Sequence, residues 1–262
     1  MNSNDKKGAS HWISASPLFD QDTVLCKRDF WDALCLRYGW VPKGLPINCA
    51  CGGKFSVDHA FTCLVGGFRT LMHNRITGIF GSYSKLAGLK NISFEPLLQA
   101  LDGEKFHLKS AKTDDNVRLD LGVTGIWTPL RRAFFDTTVM YTEAPSYGSK
   151  SIPAILKHGE QKKCREYKER CSKVENADFS PLVFTTNGAM GSQATFVLKR
   201  LCETIANKTN HILSKVVSHF RCRLSFALLR SSLICLRGTR STKLAFEEND
   251  FDYSIHRLNG HQ

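Results

Sequence analysis

The run AFFDTTVMY, residues 133–141, is rich in aromatic and β-branched side chains and carries one acid near its centre. That composition reads as a strand. Alternation along a strand points Asp136, Thr138 and Met140 one way and Phe135, Thr137 and Val139 the other. Behind Phe134 and Phe135, Asp136 is poorly explained as a solvated surface residue, because an unpaired buried charge is costly. Working outward, NISFEP (91–96) and VRLDLGV (117–123) are further strand-like runs, and each carries an acid, Glu95 and Asp120. A charged helix is expected over 155–174, then a strand at PLVFTT (181–186) closed by NGAMG, then a helix over 193–207. Strands and helices in this order predict an α/β core with a mixed sheet flanked by helices. Farther out, 71–86 reads as helical. Residues 22–38 read as an amphipathic helix with Val24, Leu25, Phe30, Leu34 and Leu36 on its apolar face, broken by VPKGLP. Residues 211–236 read as a long, basic, amphipathic helix with Leu213, Val217, Phe220, Leu224 and Leu228 on one side.

Acids gathered at strand ends are a common way to hold Mg²⁺, which prefers oxygen ligands and keeps several waters. Such an ion polarises a phosphoryl oxygen and acidifies a bound water. The plainer alternative pairs each acid with a nearby arginine, Arg118, Arg131 or Arg132. Downstream, HGEQKKCREY places Lys163 and Tyr167 four apart on one helical face, with Glu160 three residues earlier. A lysine beside a metal can stabilise a pentacovalent anion or orient the attacking water. On spacing alone an ordinary charged helix explains it equally well.

The segment CACGGKFSVDHAFTC sets Cys49, Cys51, His59 and Cys63 in a C-x-C-x7-H-x3-C pattern. Zinc takes four nitrogen or sulfur ligands at tetrahedral corners. Gly52 and Gly53 permit a sharp reversal, and Ser56 is placed to cap a short helix carrying His59 and Cys63 on one face. Asp58 is a candidate outer partner of the site. Four protein ligands leave no open position, so the expected role of Zn²⁺ is structural. The alternative is three buried thiols and a core histidine. The other seven cysteines, Cys26, Cys35, Cys164, Cys171, Cys202, Cys222 and Cys235, are scattered and read as thiols.

Charge bears on the partner. With 36 Lys+Arg against 24 Asp+Glu the 262-residue chain carries +12, and residues 157–240 hold 16 basic and 6 acidic residues, so most of the excess lies there. A concentrated basic block favours a polyanion such as nucleic acid over a solvated surface of no consequence only on further grounds. The start, MNSNDKKGAS, lacks the apolar core of a secretory signal, and LSFALLRSSLICL is too short to span a bilayer and is interrupted by Arg230. No membrane association is expected.

Taken in order, C-x-C…H…C, then His73-Asn74, then R-x-D at Arg118 to Asp120, then the apolar-flanked Asp136, then K-x-x-x-Y at Lys163 and Tyr167, the chain resembles the C-terminal region of site-specific non-LTR retrotransposon proteins. There a CCHC zinc motif precedes a restriction-like endonuclease of the PD-(D/E)xK superfamily. The segments GASHWI, LPINCACG, FSPLVFTTNGAMG and LRSSLICLRGTR belong to the same likeness. The resemblance implies a PD-(D/E)xK core, with Asp120 and Asp136 holding Mg²⁺ or Mn²⁺, Glu95 as the early acid and Lys163, or its neighbour Lys162, as the lysine. It implies DNA as substrate, element RNA as a second polyanion, and a nuclear setting. The chain departs from the pattern in four places. Leu119 stands for the proline before the acid, Met72 for an arginine before His73, Thr138 for the usual strand lysine, and Gly159 for an acid before Glu160.

The expected organisation is an N-terminal helical segment (1–40), a CCHC zinc unit (41–70), an endonuclease core (71–210), a basic helix (211–240) and a polar tail (241–262). Lys199, Arg200, Arg221, Arg223 and Arg230 are the candidate phosphate contacts. The competing expectation is a catalytically dead, zinc-stabilised DNA-binding protein or a degenerate mobile-element remnant.

Overall fold

The computed structural model describes residues 11–15, 23–99 and 117–238. The expected tail at 241–262 lies outside the described residues, as do parts of the 1–40 segment. The elements in order are α1 (Lys27–Tyr38), α2 (Val57–Thr62), α3 (Phe68–Ala87), β1 (Lys90–Phe94), β2 (Leu121–Thr124), β3 (Arg132–Met140), α4 (Ile152–Lys163), a π-helical turn (Cys164–Lys168), α5 (Glu169–Lys173), β4 (Asp178–Thr185), α6 (Ser192–Thr209) and α7 (Leu213–Arg237).

Four strands form one mixed sheet in the order β1-β2-β3-β4. The first three run antiparallel, whereas β3 and β4 are parallel, with Ala133 opposite Asp178 and Met140 opposite Thr185. Parallel neighbours need a crossover, and α4, the π turn and α5 provide it.

The alternation expected of AFFDTTVMY is what divides the molecule into layers. Ala133 and Phe135 pack with Leu182 and Phe184 of β4 under α3, α6 and α7, in a core that includes Ile76, Phe80, Leu198 and Phe220. Phe134 faces the opposite way, onto Leu119, Cys171 and Ala177. Met140, on that same side, meets Ile155, Leu156 and Val183. Helices therefore cover both faces of the sheet. Gly159 is what lets α4 lie close, since a Cβ there would sit 2.9 Å from the Met140 sulfur and 3.1 Å from Val183.

Two helices differ from their sequence pattern. The first begins at Lys27 rather than Asp22, with the Cys26 sulfur accepting from the Asp29 amide as its cap. Its buried face is Asp32, Ala33 and Cys35, while Val24 and Phe30 are exposed. Leu25, Leu34 and Leu36 of the expected apolar face do pack, partly buried, against the Trp12, Ala33 and Phe226 cluster, and a buried ion pair completes the docking of this helix. Both oxygens of Asp32 accept from Arg237 of α7 at 2.7 and 2.8 Å. The last helix, α7, is basic as expected, but it is also a central strut. Phe220, Leu224 and Leu228 enter the main core, and Phe226, Leu229 and Leu233 meet Trp12 and Ala33 on another side. Among the described residues no helix is long and apolar enough to cross a membrane.

Candidate functional site

β2 runs against β3 with Leu121 opposite Phe135. One step along each strand come Asp120 and Asp136, so the two acids are cross-strand neighbours at the point where pairing ends. The chain bends at Asp120, and its side chain substitutes for a ladder acceptor. Oδ2 takes the Thr137 amide at 2.5 Å while the Asp120 amide donates to Phe135 O at 3.1 Å.

Two basic side chains from separate helices close on these acids. Lys163, the last residue of α4, places Nζ 3.1 and 3.0 Å from the two oxygens of Asp136. His73 of α3 brings Nε2 to 3.1 Å from Asp120 Oδ1. One turn on from His73, Thr77 bonds the Thr137 hydroxyl at 2.9 Å, which pins α3 to β3 beneath the acids. The helix leaves α-geometry immediately after Lys163, and the π turn carries Tyr167, whose ring centre lies 5.5 Å from Lys163 Nζ. Single π turns inside helices are often found at functional sites.

The electrostatics follow from burial and crowding. Asp136 is 6% exposed. Burial and then the charge of Asp120 push its carboxyl up to about 6, against the pull of Lys163. Burial works against a charge on Lys163, but Asp136, Glu166 and Asp120 outweigh it and the ammonium is held above its usual range. His73 behaves alike: burial lowers it, and its bond to Asp120 with the charges of Asp120 and Asp136 raises it further, for a net rise. Tyr167 is pushed up by burial and by Asp136 and Glu166, so its phenol stays neutral. The cluster thus sets two crowded carboxyl groups against the Lys163 ammonium and an imidazole whose protonated form they favour.

Glu95 lies apart from this pairing. It adopts a left-handed backbone at φ 47, its amide donates to Asp120 O at 3.0 Å, and its carboxylate lies 3.9 Å from Arg118. The arginine-pairing alternative therefore describes Glu95 but not Asp120 or Asp136, since Arg131 pairs with Asp178 and Arg132 bonds Ser93. Glu160 is occupied elsewhere. Its oxygens accept from the Ser192 hydroxyl and the Gln193 amide at 2.8 and 2.7 Å, which caps the start of α6. Lys162 is exposed, whereas Lys163 points inward. His73 was visible in the sequence only as part of a motif order and carried no role there. The missing signal was that a residue on α3, 47 positions before Asp120, shares its pocket.

The cysteine-histidine segment forms a second site. Cys49 and Cys51 sit on a tight turn in which the Cys49 amide bonds Gly53 O at 2.8 Å and Gly52 takes φ 86. Gly53 has no room for a side chain: a Cβ would lie 3.3 Å from the His59 ring and 3.4 Å from Cys51 Sγ. Ser56 caps α2 by accepting from the His59 amide at 3.0 Å, and Cys63 follows one turn after His59. The four ligand atoms lie within 4.8 Å of one another, a Cys3His group able to hold a metal ion. Burial pushes the Cys49 thiol up, but bonds from the Cys51 backbone, His59, Cys51 and Cys63 more than reverse this and bring it to about 6. Asp58 does not turn to the ligands; it accepts from the Tyr141 hydroxyl at 2.5 Å and ties α2 to the end of β3. All ten cysteines are free thiols.

The candidate phosphate contacts are spread out. Lys199 is exposed beside Glu203 at 3.7 Å. Arg200 bonds Ile126 O and Arg230 bonds Val24 O, at 2.9 and 2.8 Å. Arg221 and Arg223 are half-buried on α7. No protein-family model matches the chain, and no curated protein matches its sequence.

Proposed function

We propose that the chain is a metal-dependent DNA endonuclease of the restriction-like, PD-(D/E)xK kind, derived from a retrotransposon protein and acting on nuclear DNA. The observation that carries the reading is the convergence of Asp120, Asp136 and Lys163, which are distant in sequence, where β2 leaves β3 in the mixed sheet. Two oxygen-donor side chains crowded so that Asp120 pushes the Asp136 carboxyl up fit a hard divalent cation better than they fit each other. Asp120 and Asp136 would hold Mg²⁺ or Mn²⁺, and the ion would supply Lewis-acid polarisation and a water of lowered pKa.

The chain's own residues supply the rest. Lys163 brings a positive charge to where a pentacovalent phosphorane would gather negative charge. His73 and the Thr137 amide together fix the Asp120 carboxylate from both oxygens. Glu95, turned toward Arg118, contributes charge at the margin and no direct ligand in this arrangement. Zn²⁺ suits the Cys49, Cys51, His59 and Cys63 group: Zn–S bonds of about 2.3 Å imply a tetrahedral edge of roughly 3.8 Å, and the Cys49 and Cys63 sulfurs are 3.8 Å apart.

A plasmid-nicking assay with Mg²⁺ or Mn²⁺ tests the proposal. Wild type should nick supercoiled DNA, and Asp136→Asn should lose roughly 10²-fold or more of that activity. Equal nicking by both proteins would refute the site. One observation favours a second reading, a catalytically dead DNA-binding protein: Lys163 already satisfies both Asp136 oxygens. Duplex binding without nicking by either protein would select it.

A further inference from the structure

A cavity of about 500 Å³ lies between α1, α2 and α7 and contains none of Asp120, Asp136, Lys163 or His73 in its walls. Its volume is that of a small-ligand site. Two stacked aromatic pairs form part of the lining. Tyr38 and Trp40 stack at 5.0 Å and 27°, each about half exposed, and Trp31 extends the row from Trp40 at 6.1 Å. Phe61 and Tyr141 stack at 4.7 Å and 13°. Exposed indole and phenol faces leave apolar area in water that a flat partner would cover.

Ser232 is 3% exposed, and its hydroxyl has no hydrogen-bond partner among the described residues; the Thr186 hydroxyl is in the same condition. Both oxygens are closed off from solvent, so they lie behind the cavity wall rather than on it. Glu143 adds a carboxylate, which only accepts. The Arg37 guanidinium lies 5.7 Å over the Tyr38 ring, so positive charge borders the aromatic wall.

We propose that this cavity takes one unpaired nucleobase bearing an exocyclic amine, from a nucleic-acid strand crossing the Trp31, Trp40 and Tyr38 row. Aromatic faces supply stacking, which is how proteins hold single strands without duplex geometry. Glu143 accepts from the amine, which disfavours thymine. The basic excess of the chain, +12 overall, suits the attached phosphates. The inference rests on the nucleic-acid part of the proposed function and is independent of cleavage.

The experiment measures anisotropy of fluorescein-labelled 12-mers at fixed salt: oligo-dA, oligo-dT, oligo-rA and an abasic strand of equal charge. Wild type should bind oligo-dA at least about 5-fold more tightly than the abasic strand, the lower bound for one stacked base. Trp40→Ala should erase that difference and leave abasic binding unchanged; Glu143→Gln should narrow the gap between oligo-dA and oligo-dT. Tighter binding of oligo-rA than oligo-dA would identify RNA as the source of the same base. Equal binding of oligo-dA and the abasic strand by wild type overturns the inference, as does a Trp40→Ala effect of equal size on both. Should Trp40→Ala fail to fold, quenching of wild-type tryptophan fluorescence by oligo-dA but not by the abasic strand decides the matter. Plasmid nicking without base discrimination defeats this inference alone; base discrimination without nicking defeats the cleavage reading alone.

Discussion

Asp32 is 1% exposed on α1, and the whole of its charge is answered by one residue, Arg237, whose guanidinium also donates to Lys43 O and Gly44 O. Removing one member of a buried pair leaves the other charge stranded, at a cost of about 3–5 kcal/mol. Asp32→Ala should therefore lose roughly that much stability in urea unfolding, and a loss under about 1 kcal/mol would show the pair to be dispensable. A pH effect arises at the same end of the chain. Burial, then Arg221, lowers the His11 pKa, and His11 Nε2 has no bond partner among the described residues. Its folded form disfavours the proton, so stability should be level above about pH 6.5 and fall as pH drops below it. In His11→Gln that part of the acid-side fall should vanish from a melting-temperature series between pH 8 and 5; an unchanged slope would assign it elsewhere. Residue identity was the legible part of the acid cluster. An aspartate flanked by phenylalanines announces an unusual environment from sequence, as Asp136 did. Asp32 gave no such sign, because its partner is 205 positions away.

At the scale of elements, AFFDTTVMY, PLVFTT and the helices around them could be read because their periods are strong and local. The π turn at Cys164–Lys168 could not, since its sequence, CREYK, continues an ordinary charged helix. Nor could the bend at Asp120 be read, because VRLDLGV looks like one unbroken strand, while only Leu121–Thr124 pairs as β2. Gly159 looked like a lost acid and is better understood as clearance. Gly159→Ala should cost about 1–3 kcal/mol through overpacking against Met140 and Val183, measurable as a lowered denaturation midpoint. If it proved neutral, Met140 would have moved aside. The metal unit was the most legible element of all, since four ligands within fifteen residues require no tertiary information. Its short helix has six residues and little core of its own, so an ion bound there would be expected to hold it, with about 10–16 kcal/mol of apparent binding energy available. Chelation, or Cys49→Ser, should lower the melting temperature and remove protection of the His59 and Cys63 amides from hydrogen exchange. Full protection in chelator would mean that packing on Leu236 suffices.

Across the whole molecule, the basic excess divides into charges committed to the fold and charges exposed on its surface. Arg237 belongs to the first group, committed to Asp32 and two carbonyls. Arg200 and Arg230 each bond a backbone carbonyl. Lys162 and Lys199 are exposed lysines on α4 and α6. Composition treats all of these alike, which is why the phosphate contacts were the least legible part of the candidate function. Salt dependence separates them. The slope of log K against log salt counts released counterions at about 0.9 per phosphate neutralised on duplex DNA. If Lys199 contacts a phosphate, Lys199→Ala should reduce the magnitude of that slope by about one while leaving stability unchanged. Arg237→Ala should do the reverse, destabilising the fold while any protein that remains folded keeps its slope. A slope altered by Arg237→Ala and unmoved by every exposed lysine would place the binding surface on α1 and α7 rather than around the acid cluster, and would separate DNA binding from the proposed cleavage site.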